Sequence, residues 1–194
     1  MRDVPRRNIG VAIEIPQPYA QILQDWRRRL GDPTAERIPP HVTLLPPTLL
    51  RDDELMAVEE HLRSVGEAER SFEMQLRGTG TFRPVSPVTF VQVAAGISDC
   101  ERLERRVRSG PLERELKFNY HPHVTIAQDV AEELLEEGFQ ALKDFDARFP
   151  VWGFSLFEHG PDQTWRPRLD FPFGRELPGP AVGHPAPAAE AEEW

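Results

Sequence analysis

The tetrapeptide Pro-His-Val-Thr occurs twice in this chain, at positions 40–43 and 122–125, and each copy is followed by an aliphatic residue. A chain with 6 His and 20 Pro is not expected to contain it twice by chance. Packing alone does not require the same His and Thr at both places, since Leu, Ile and Val can fill a core interchangeably. Imidazole takes up and releases a proton near neutral pH, and a hydroxyl donates hydrogen bonds to oxygen atoms. The repeat therefore predicts one site for acid–base chemistry, built at the interface of two similar halves.

Both copies have the features of short β-strands, because a Pro precedes each His and β-branched or aliphatic residues follow it. Side chains alternate along a strand, so His41 and Thr43 lie on one face while Val42 and Leu44 lie on the other. The second copy repeats this alternation. One such strand is ordinarily explained by a half-buried His that bonds to a nearby hydroxyl. Two of them facing each other across a cleft would instead surround one small ligand with two imidazoles and two hydroxyls.

The composition is typical of a soluble protein with one domain or two small joined lobes: 194 residues, of which 28% are charged and 39% hydrophobic. The single Cys100 excludes an internal disulfide and a four-cysteine metal site, and it fits a reducing compartment. No segment approaches the ~20 apolar residues of a membrane span. The charged residues at 1–7 are not followed by the apolar stretch of a signal peptide. We therefore expect a cytoplasmic monomer with no membrane partner.

The net charge of −9 is unevenly divided along the chain. Segment 175–194 contains one Arg and four Glu, a charge of −3, which leaves −6 for residues 1–174. An acidic body argues against a non-specific nucleic-acid coat, although a nucleotide or an RNA end could still bind in a local basic cleft. Beyond Phe173 the sequence is rich in Pro, Ala, Gly and Glu and has no apolar period. We therefore predict a folded domain at 1–174 and a disordered acidic tail at 175–194.

The apolar periodicity predicts an α+β protein with the element order β-α-β-α-β-β-α-β-α-β-β. The predicted strands are 8–15, 41–45, 72–76, 88–93, 123–126, 151–158 and 165–171, and the predicted helices are 18–30, 52–65, 98–108 and 130–145. Pro46 and Pro47 are predicted to end the second strand, and Ser98 with Glu101 to form a capping box at the third helix. His61 is predicted to be a solvated residue of the second helix. This order fits sheets with helices packed on the outside.

The two His-Val-Thr segments resemble the paired motif of the 2H phosphoesterases, in particular their bacterial 2'-5' RNA ligase and cyclic phosphodiesterase branch. The flanking sequence is similar as well. Residues 76–84 followed by 88–93 resemble the strand-turn-strand that lies between the two motifs in that family, and 121–127 resembles its second motif with the usual preceding Pro. The resemblance extends over roughly residues 8–173 in the order of elements.

This resemblance implies a bilobal, pseudo-twofold α+β fold of duplicated β-α-β units, in which antiparallel sheets face a central cleft and the helices lie outside. It also implies that His41 and His123 are catalytic, that Thr43 and Thr125 bind the substrate phosphate, and that no metal or other cofactor is needed. The implied partners are RNA ends or nucleotides that carry a cyclic phosphate.

The chemistry of that family explains why two imidazoles are needed. Opening a 2',3'-cyclic phosphate, or moving a 2'-5' phosphodiester, requires two proton transfers at opposite ends of an in-line displacement. One neutral and one protonated imidazole can perform them, and such catalysis typically contributes ~10²–10⁴-fold. We therefore expect a metal-independent phosphodiesterase that opens 2',3'-cyclic phosphates, with 2'-5' RNA ligation as the reverse reaction. The acid and base roles exchange between the two directions, so the sequence does not assign them.

Further substrate contacts are hypotheses based on residue type alone. Arg has forked donors that suit phosphate, and the candidates are Arg83, Arg166 and Arg168. Aromatic rings can stack on a base, and the candidates are Phe82, Tyr120, Phe157 and Trp165, although each of these residue types is more often part of the core than a platform for a base.

Three alternatives remain open. His121 and His123 form a His-x-His pair that can bind zinc, with His41 and His159 to complete a metal hydrolase site, but this leaves the repeated Thr unexplained. A non-catalytic module could use the same cleft to bind a nucleotide or an RNA end. An interaction protein that works through the acidic tail has only the composition of that tail in its favour.

Overall fold

The computed structural model describes residues 5–174, so the predicted tail at 175–194 lies outside the described residues. The elements in chain order are β1 (Arg6–Glu14), α1 (Tyr19–Arg29), β2 (His41–Arg51), α2 (Leu55–Ala68), β3 (Phe72–Thr81), β4 (Val88–Ala95), α3 (Ile97–Val107), β5 (His123–Gln128), α4 (Glu132–Ala141), β6 (Asp146–Val151), β7 (Gly153–His159) and β8 (Trp165–Pro172). Short 3₁₀ turns lie at 52–54 and 110–112. The predicted α+β class is confirmed. None of the helices within 5–174 has the length and apolar character needed to cross a membrane.

The strands form two antiparallel four-stranded sheets, in the orders β2-β1-β7-β8 and β5-β4-β3-β6. The two Pro-His-Val-Thr segments therefore begin the edge strands β2 and β5, one in each sheet. His41 lies opposite Glu14 on β1, and His123 lies opposite Gln92 on β4. The helix between β1 and β2 contacts β5, and the helix between β4 and β5 contacts β2. Each of the helices α1 and α3 thus contacts the motif strand of the other sheet. This reciprocal packing confirms the predicted pseudo-twofold arrangement of two lobes.

One hydrophobic core lies behind both edge strands. Val42, Leu44, Val124 and Ile126 are at most 1% exposed and belong to the same cluster of buried side chains. Burying an aliphatic side chain of this size stabilises the fold by about 1.5–3 kcal/mol. A slip of one residue along either strand would turn these side chains outward, so burial fixes the register. The same register holds the alternate residues of each strand, the His and the Thr, on the cleft side.

Strand β2 continues through Pro46 and Pro47 to Arg51, so the prediction that these prolines end it is wrong. The reason is that β2 is an edge strand, paired only with β1. A Pro on an edge strand can direct its missing N–H position toward solvent without losing a bond of the sheet, and both prolines are exposed. The sequence did not reveal which strands would be edges.

Three other local predictions are corrected. The predicted helix at 130–145 ends at Ala141, and β6 follows it and pairs with β3. The third helix begins at Ile97 after an N-cap at Gly96, with no side-chain cap, so the capping box at Ser98 is absent. Gly96 has a φ of 88°, and a Cβ there would lie 2.9 Å from the carbonyl oxygen of Glu73. His61 is half-buried rather than solvated, and its Nε2–H donates to the carbonyl groups at the end of α3.

Candidate active site

Strands β2 and β5 place the repeated His and Thr residues on the cleft side of the two sheets. His41, Thr43, His123 and Thr125 are each partly exposed, in alternation with fully buried aliphatic neighbours. Strands β2 and β5 are in contact with each other. A protonated His123 is also close enough for its charge to affect the pKa of His41. The structure thus brings the four repeated residues together between the lobes.

His41 is held by hydrogen bonds at both ring nitrogens. Its Nδ1 lies 2.7 Å from the carbonyl oxygen of Pro39, which can only accept, so Nδ1 carries the proton. Its Nε2 lies 3.1 Å from the Thr43 hydroxyl. The Trp165 ring stacks on the imidazole with a centroid distance of 4.9 Å and an interplanar angle of 29°. Burial is the main reason that the pKa of His41 is lowered to about 4; the bond to Pro39 opposes this, and nearby positive charges on Arg27 and His123 add to it.

The ring of His123 is held through Nδ1 in the same way as that of His41, but different side chains surround it. Its Nδ1 donates to the carbonyl oxygen of His121 over 2.7 Å, two residues earlier in the chain, as in the first copy. Its ring packs against the aromatic rings of Phe82 and Phe90, at centroid distances of 4.9 and 5.0 Å. Burial lowers the pKa of His123, the bond to the His121 carbonyl opposes the shift, and the charge of His121 adds to it. Both imidazoles are therefore neutral at pH 7 in the free protein, with Nε2 as the basic nitrogen.

A cavity of about 240 Å³ opens beside the first motif. Its lining residues come from α1, β2, β5, β8 and the segment before β2: Arg27, Thr34, Ile38, Pro40, His41, Thr43, Pro46, Pro47, Thr125, Gln128 and Trp165. Three of the four repeated residues contribute to this lining, and His123 does not. Among the described residues that line the cavity, Arg27 alone has a permanent charge. The lining thus combines hydroxyl donors, an imidazole and one guanidinium, a set of groups suited to a small anion.

The remaining candidates from the sequence lie in different environments. Trp165 lines the cavity, and its buried Nε1 has no hydrogen-bond partner among residues 5–174. The Tyr120 hydroxyl donates to the carbonyl oxygen of Thr43 over 2.9 Å, so it joins the loop before β5 to β2, and burial raises the pKa of this phenol. Arg83 pairs with two glutamates of α4, and Arg166 pairs with Asp162. Neither Arg83 nor Arg166 lines the cavity.

The other residues proposed for substrate contact are also engaged elsewhere. Arg168 pairs with Glu59 and Glu158. Phe82 packs on His123, and Phe157 is buried against Trp165. These two aromatic residues therefore shape the surroundings of the imidazoles from within the protein.

The sequence analysis missed Arg27, Thr34 and Gln128. The apolar stripe of α1 held a signal for the first of them, since Arg27 follows Leu23 by four residues and precedes Leu30 by three, and so lies on the buried face of the helix. A fully buried Arg on such a face requires a partner or a function. No comparable signal in the sequence distinguished the other two.

The groups required for a metal centre are not assembled within residues 5–174. No set of three or more His, Cys, Asp or Glu side chains there is arranged to hold an ion. His159, which the metal hypothesis needed, bonds instead to Asn8 through Nδ1 and to the carbonyl oxygen of Gln163 through Nε2. The proposed ligand set of His41, His121, His123 and His159 is therefore not assembled.

Residues 15–163 match the family described as the 2'-5' RNA ligase superfamily. A protein of Halalkalibacterium halodurans named "Putative phosphoesterase BH1439" is 31% identical over 136 residues, which cover 70% of this chain and 78% of that protein. A protein of Bacillus mycoides that is also named as a phosphoesterase is 27% identical over 170 residues, or 87% of this chain and 98% of that protein.

Solved structures agree on the fold. The crystal structure of E. coli LigT complexed with 3'-AMP aligns with a TM-score of 0.68 at 17% identity, covering 87% of this chain and 99% of LigT. The crystal structure of TT0787 from Thermus thermophilus aligns with a TM-score of 0.58 at 20% identity, covering 87% and 98% of the two chains. The family match and the bacterial relatives together show that the chain belongs to the 2'-5' RNA ligase superfamily of 2H phosphoesterases.

Proposed function

We propose that this protein is a metal-independent phosphodiesterase that opens 2',3'-cyclic phosphates by acid–base catalysis with His41 and His123. Membership of the family supports phosphoesterase activity. The observation that carries the finer proposal is the matched pair of imidazoles on the two facing edge strands. In each ring Nδ1–H is bound to a backbone carbonyl two residues earlier, so that Nε2 is the nitrogen that exchanges protons.

The two imidazoles have different surroundings, and this supports a division of roles. His41 is the more strongly held in the neutral form, with a pKa lowered to about 4 and with Arg27 nearby. A neutral imidazole accepts a proton, so we assign His41 as the base that activates water in the hydrolytic direction. His123 then donates a proton to the leaving oxygen. The negative charge of a bound phosphate favours the protonated form of a neighbouring imidazole, and so raises its pKa toward the working pH.

Thr43 and Thr125 are proposed to bind the non-bridging phosphate oxygens. Both line the cavity, and each lies two residues after its His on the same face of its strand. The Thr43 hydroxyl donates to Nε2 of His41 in the free protein, and a bound phosphate oxygen would compete for that donor. Negative charge increases on these oxygens during in-line displacement, so a fixed donor stabilises the transition state more than the ground state.

RNA ends and nucleotides are the proposed substrate class. LigT, which shares the fold, has been solved in complexes with 3'-AMP and with ATP. A cavity of about 240 Å³ accommodates the phosphate and part of a ribose, and the edge-strand position of both motifs leaves the rest of a ligand in solvent. With the 5'-hydroxyl of a second RNA end in place of water, the same two proton transfers open the cyclic phosphate at its 3' oxygen and form a 2'-5' phosphodiester, which is 2'-5' RNA ligation. We expect this second activity at high concentrations of RNA ends.

The test is hydrolysis of the four 2',3'-cyclic nucleotides and of an RNA oligonucleotide ending in a 2',3'-cyclic phosphate, with and without EDTA. Wild type is compared with His41→Gln and His123→Gln, and with His61→Gln as a matched control, since His61 bonds to the end of α3. We expect turnover that is unaffected by EDTA, absent in the first two variants and normal in the third. Turnover that requires a metal, or that persists in His41→Gln, refutes the mechanism. Nucleotide binding without turnover of any substrate would instead support a binding module.

A further inference from the structure

Arg27 is a buried cation that lines the cavity and lies outside the two motifs. It lies on α1, its side chain is 3% exposed, and it forms an ion pair with Asp32, which is fully buried. Of this pair only Arg27 lines the cavity. Its charge also disfavours protonation of His41, which places the guanidinium within electrostatic reach of the imidazole.

The hydrogen bonds of this guanidinium leave one donor unused. An Arg side chain has five N–H groups. Nε donates to Asp32 over 3.0 Å, Nη1 donates to the Ile38 carbonyl and to Gln24, and Nη2 donates to the Thr34 hydroxyl over 2.9 Å. These bonds account for four N–H groups. The second N–H of Nη2 has no acceptor among residues 5–174, and Nη2 is on the side of the guanidinium bonded to Thr34, which also lines the cavity.

Both oxygens of the carboxylate partner accept hydrogen bonds from within the protein. One oxygen of Asp32 accepts from Arg27, and the other accepts from the backbone N–H and the hydroxyl of Thr34, both over 2.8 Å. The Thr34 hydroxyl in turn accepts from the amide of Gln128 on β5 over 3.2 Å. This chain of bonds links α1 to the strand that carries the second motif. These bonds hold the ion pair in an orientation in which Arg27, and not Asp32, lines the cavity.

Stability alone is a poor explanation for such a pair. Replacing a buried ion pair by apolar residues of similar volume is often neutral or stabilising, because the desolvation of both charges is costly. The buried face of α1 is otherwise apolar at Leu23 and Leu30, and Arg27 lies between them. A charge that is buried at the wall of a cleft is screened less by solvent than an exposed charge, so it acts more strongly on an anion bound there.

We infer that Arg27 is the anion anchor of the cleft: its free N–H and fixed charge hold a non-bridging oxygen of the phosphate, and Asp32, Thr34 and Gln128 keep the guanidinium in place. The inference deepens the proposed function and takes from it only the identity of the anion. Arg27 differs from the four motif residues because it keeps a positive charge at every pH near neutrality. Burial lowers the pKa of both imidazoles, so at pH 8 Arg27 is the one positively charged side chain among the described residues that line the cavity.

The experiment measures the binding of inorganic phosphate at pH 8 by calorimetry. Asp32→Asn retains the guanidinium and, through the amide oxygen of Asn, an acceptor for its Nε–H, so it is expected to lose less phosphate affinity than a variant without Arg27. Arg27→Met combined with Asp32→Asn removes both charges and is expected to bind about 10- to 100-fold more weakly, the effect of losing one charge-assisted hydrogen bond. Arg28→Met is the matched control, since Arg28 is the next residue of α1 but is exposed and paired with Asp25 and Glu36.

Three results would overturn the inference: unchanged phosphate affinity in a folded double variant, an equal loss in Asp32→Asn, or no phosphate binding by wild type. Thermal melting establishes that the variants are folded. If the double variant does not fold, the ¹⁵N resonances of the Arg27 guanidinium are followed in wild-type protein during the phosphate titration. A shift of the Nη2 resonance supports the anchor, and an unchanged resonance refutes it.

The outcome is separable from that of the proposed function, because phosphate binding requires no turnover. Phosphate binding that depends on Arg27 in a protein without hydrolytic activity refutes the proposed phosphodiesterase and leaves the anchor intact. Hydrolysis that depends on both His residues, with phosphate affinity indifferent to Arg27, refutes the anchor alone.

Discussion

The half-buried imidazole of His41 makes the stability of the fold depend on pH. Its pKa is lowered to about 4 in the folded protein, against an ordinary value of 6.5 in the unfolded chain. Between these two values the unfolded state binds a proton that the folded state does not. The contribution is therefore fully present above pH 6.5 and is lost as the pH falls toward 4. A falling pH therefore favours the unfolded state, because the imidazole of His41 binds a proton more readily when the unfolded chain exposes it to water.

The magnitude follows from the two pKa values. Proton linkage with an unfolded value of 6.5 and a folded value near 4 gives a loss of about 2 kcal/mol on going from pH 8 to pH 5. This is a substantial part of the stability of an ordinary domain, which is about 5–15 kcal/mol. His123 contributes in the same direction, since burial also lowers its pKa.

The assay is urea unfolding of wild type and His41→Gln at pH 8 and pH 5, followed by tryptophan fluorescence. Carboxylates and His123 titrate in both proteins, so their effects cancel in the difference between the two. We expect wild type to lose about 2 kcal/mol more than His41→Gln over this range. Equal losses would refute the reasoning, because they would mean that His41 binds protons alike in the folded and unfolded states. Titration of the His41 ring by NMR gives the folded pKa directly.

Three further predictions concern the surroundings of the site. Thr43→Ala and Thr125→Ala are each expected to lower kcat/KM by roughly 10²-fold, with Thr→Ser as the control that restores the donor; a loss below about 3-fold would contradict the phosphate-binding role. Tyr120→Phe removes the bond to the Thr43 carbonyl, so urea unfolding should show a loss of about 1 kcal/mol, and an unchanged midpoint would count against it. Gly10→Ala places a Cβ 2.8 Å from the Trp165 ring, so it should displace the indole from His41 and reduce both activity and tryptophan burial.

The sequence was sufficient to predict the parts of the fold that depend on local pattern. The alternation of His41 and Thr43 with buried aliphatic residues predicted the strand and its faces, and the structure agrees. The end of β2 could not be predicted in this way, because tolerance of Pro46 and Pro47 depends on which strands pair with β2. Strand β6 was missed for a similar reason. It is defined by pairing with β3, while its own sequence continues from a helical pattern.

Some residues of the candidate site could likewise be predicted from the sequence pattern, and others could not. Repetition identified the residues that the two halves share, and the structure brings them to one cleft; their catalytic roles remain predictions. Arg27 and Gln128 belong to one half each, so repetition could not reveal them. Arg83 and Arg166 were plausible phosphate ligands by residue type, but their carboxylate partners become apparent only when the chain is folded. A guanidinium that is already paired at the surface contributes little to a distant site.

The difference between the two halves carries as much chemical information as their similarity. The motif supplies the same tautomer twice, because each Nδ1–H is bound to the carbonyl two residues earlier. Two identical imidazoles would compete equally for one proton, and acid–base catalysis needs one to hold it and the other to lack it. The surroundings break this symmetry: Trp165 stacks on His41 and the charge of Arg27 acts on it. Phe82 and Phe90 instead pack against His123, and the charge of His121 acts on it. We therefore expect the packing contributed by each lobe, rather than the motif itself, to give the two imidazoles their different proton affinities.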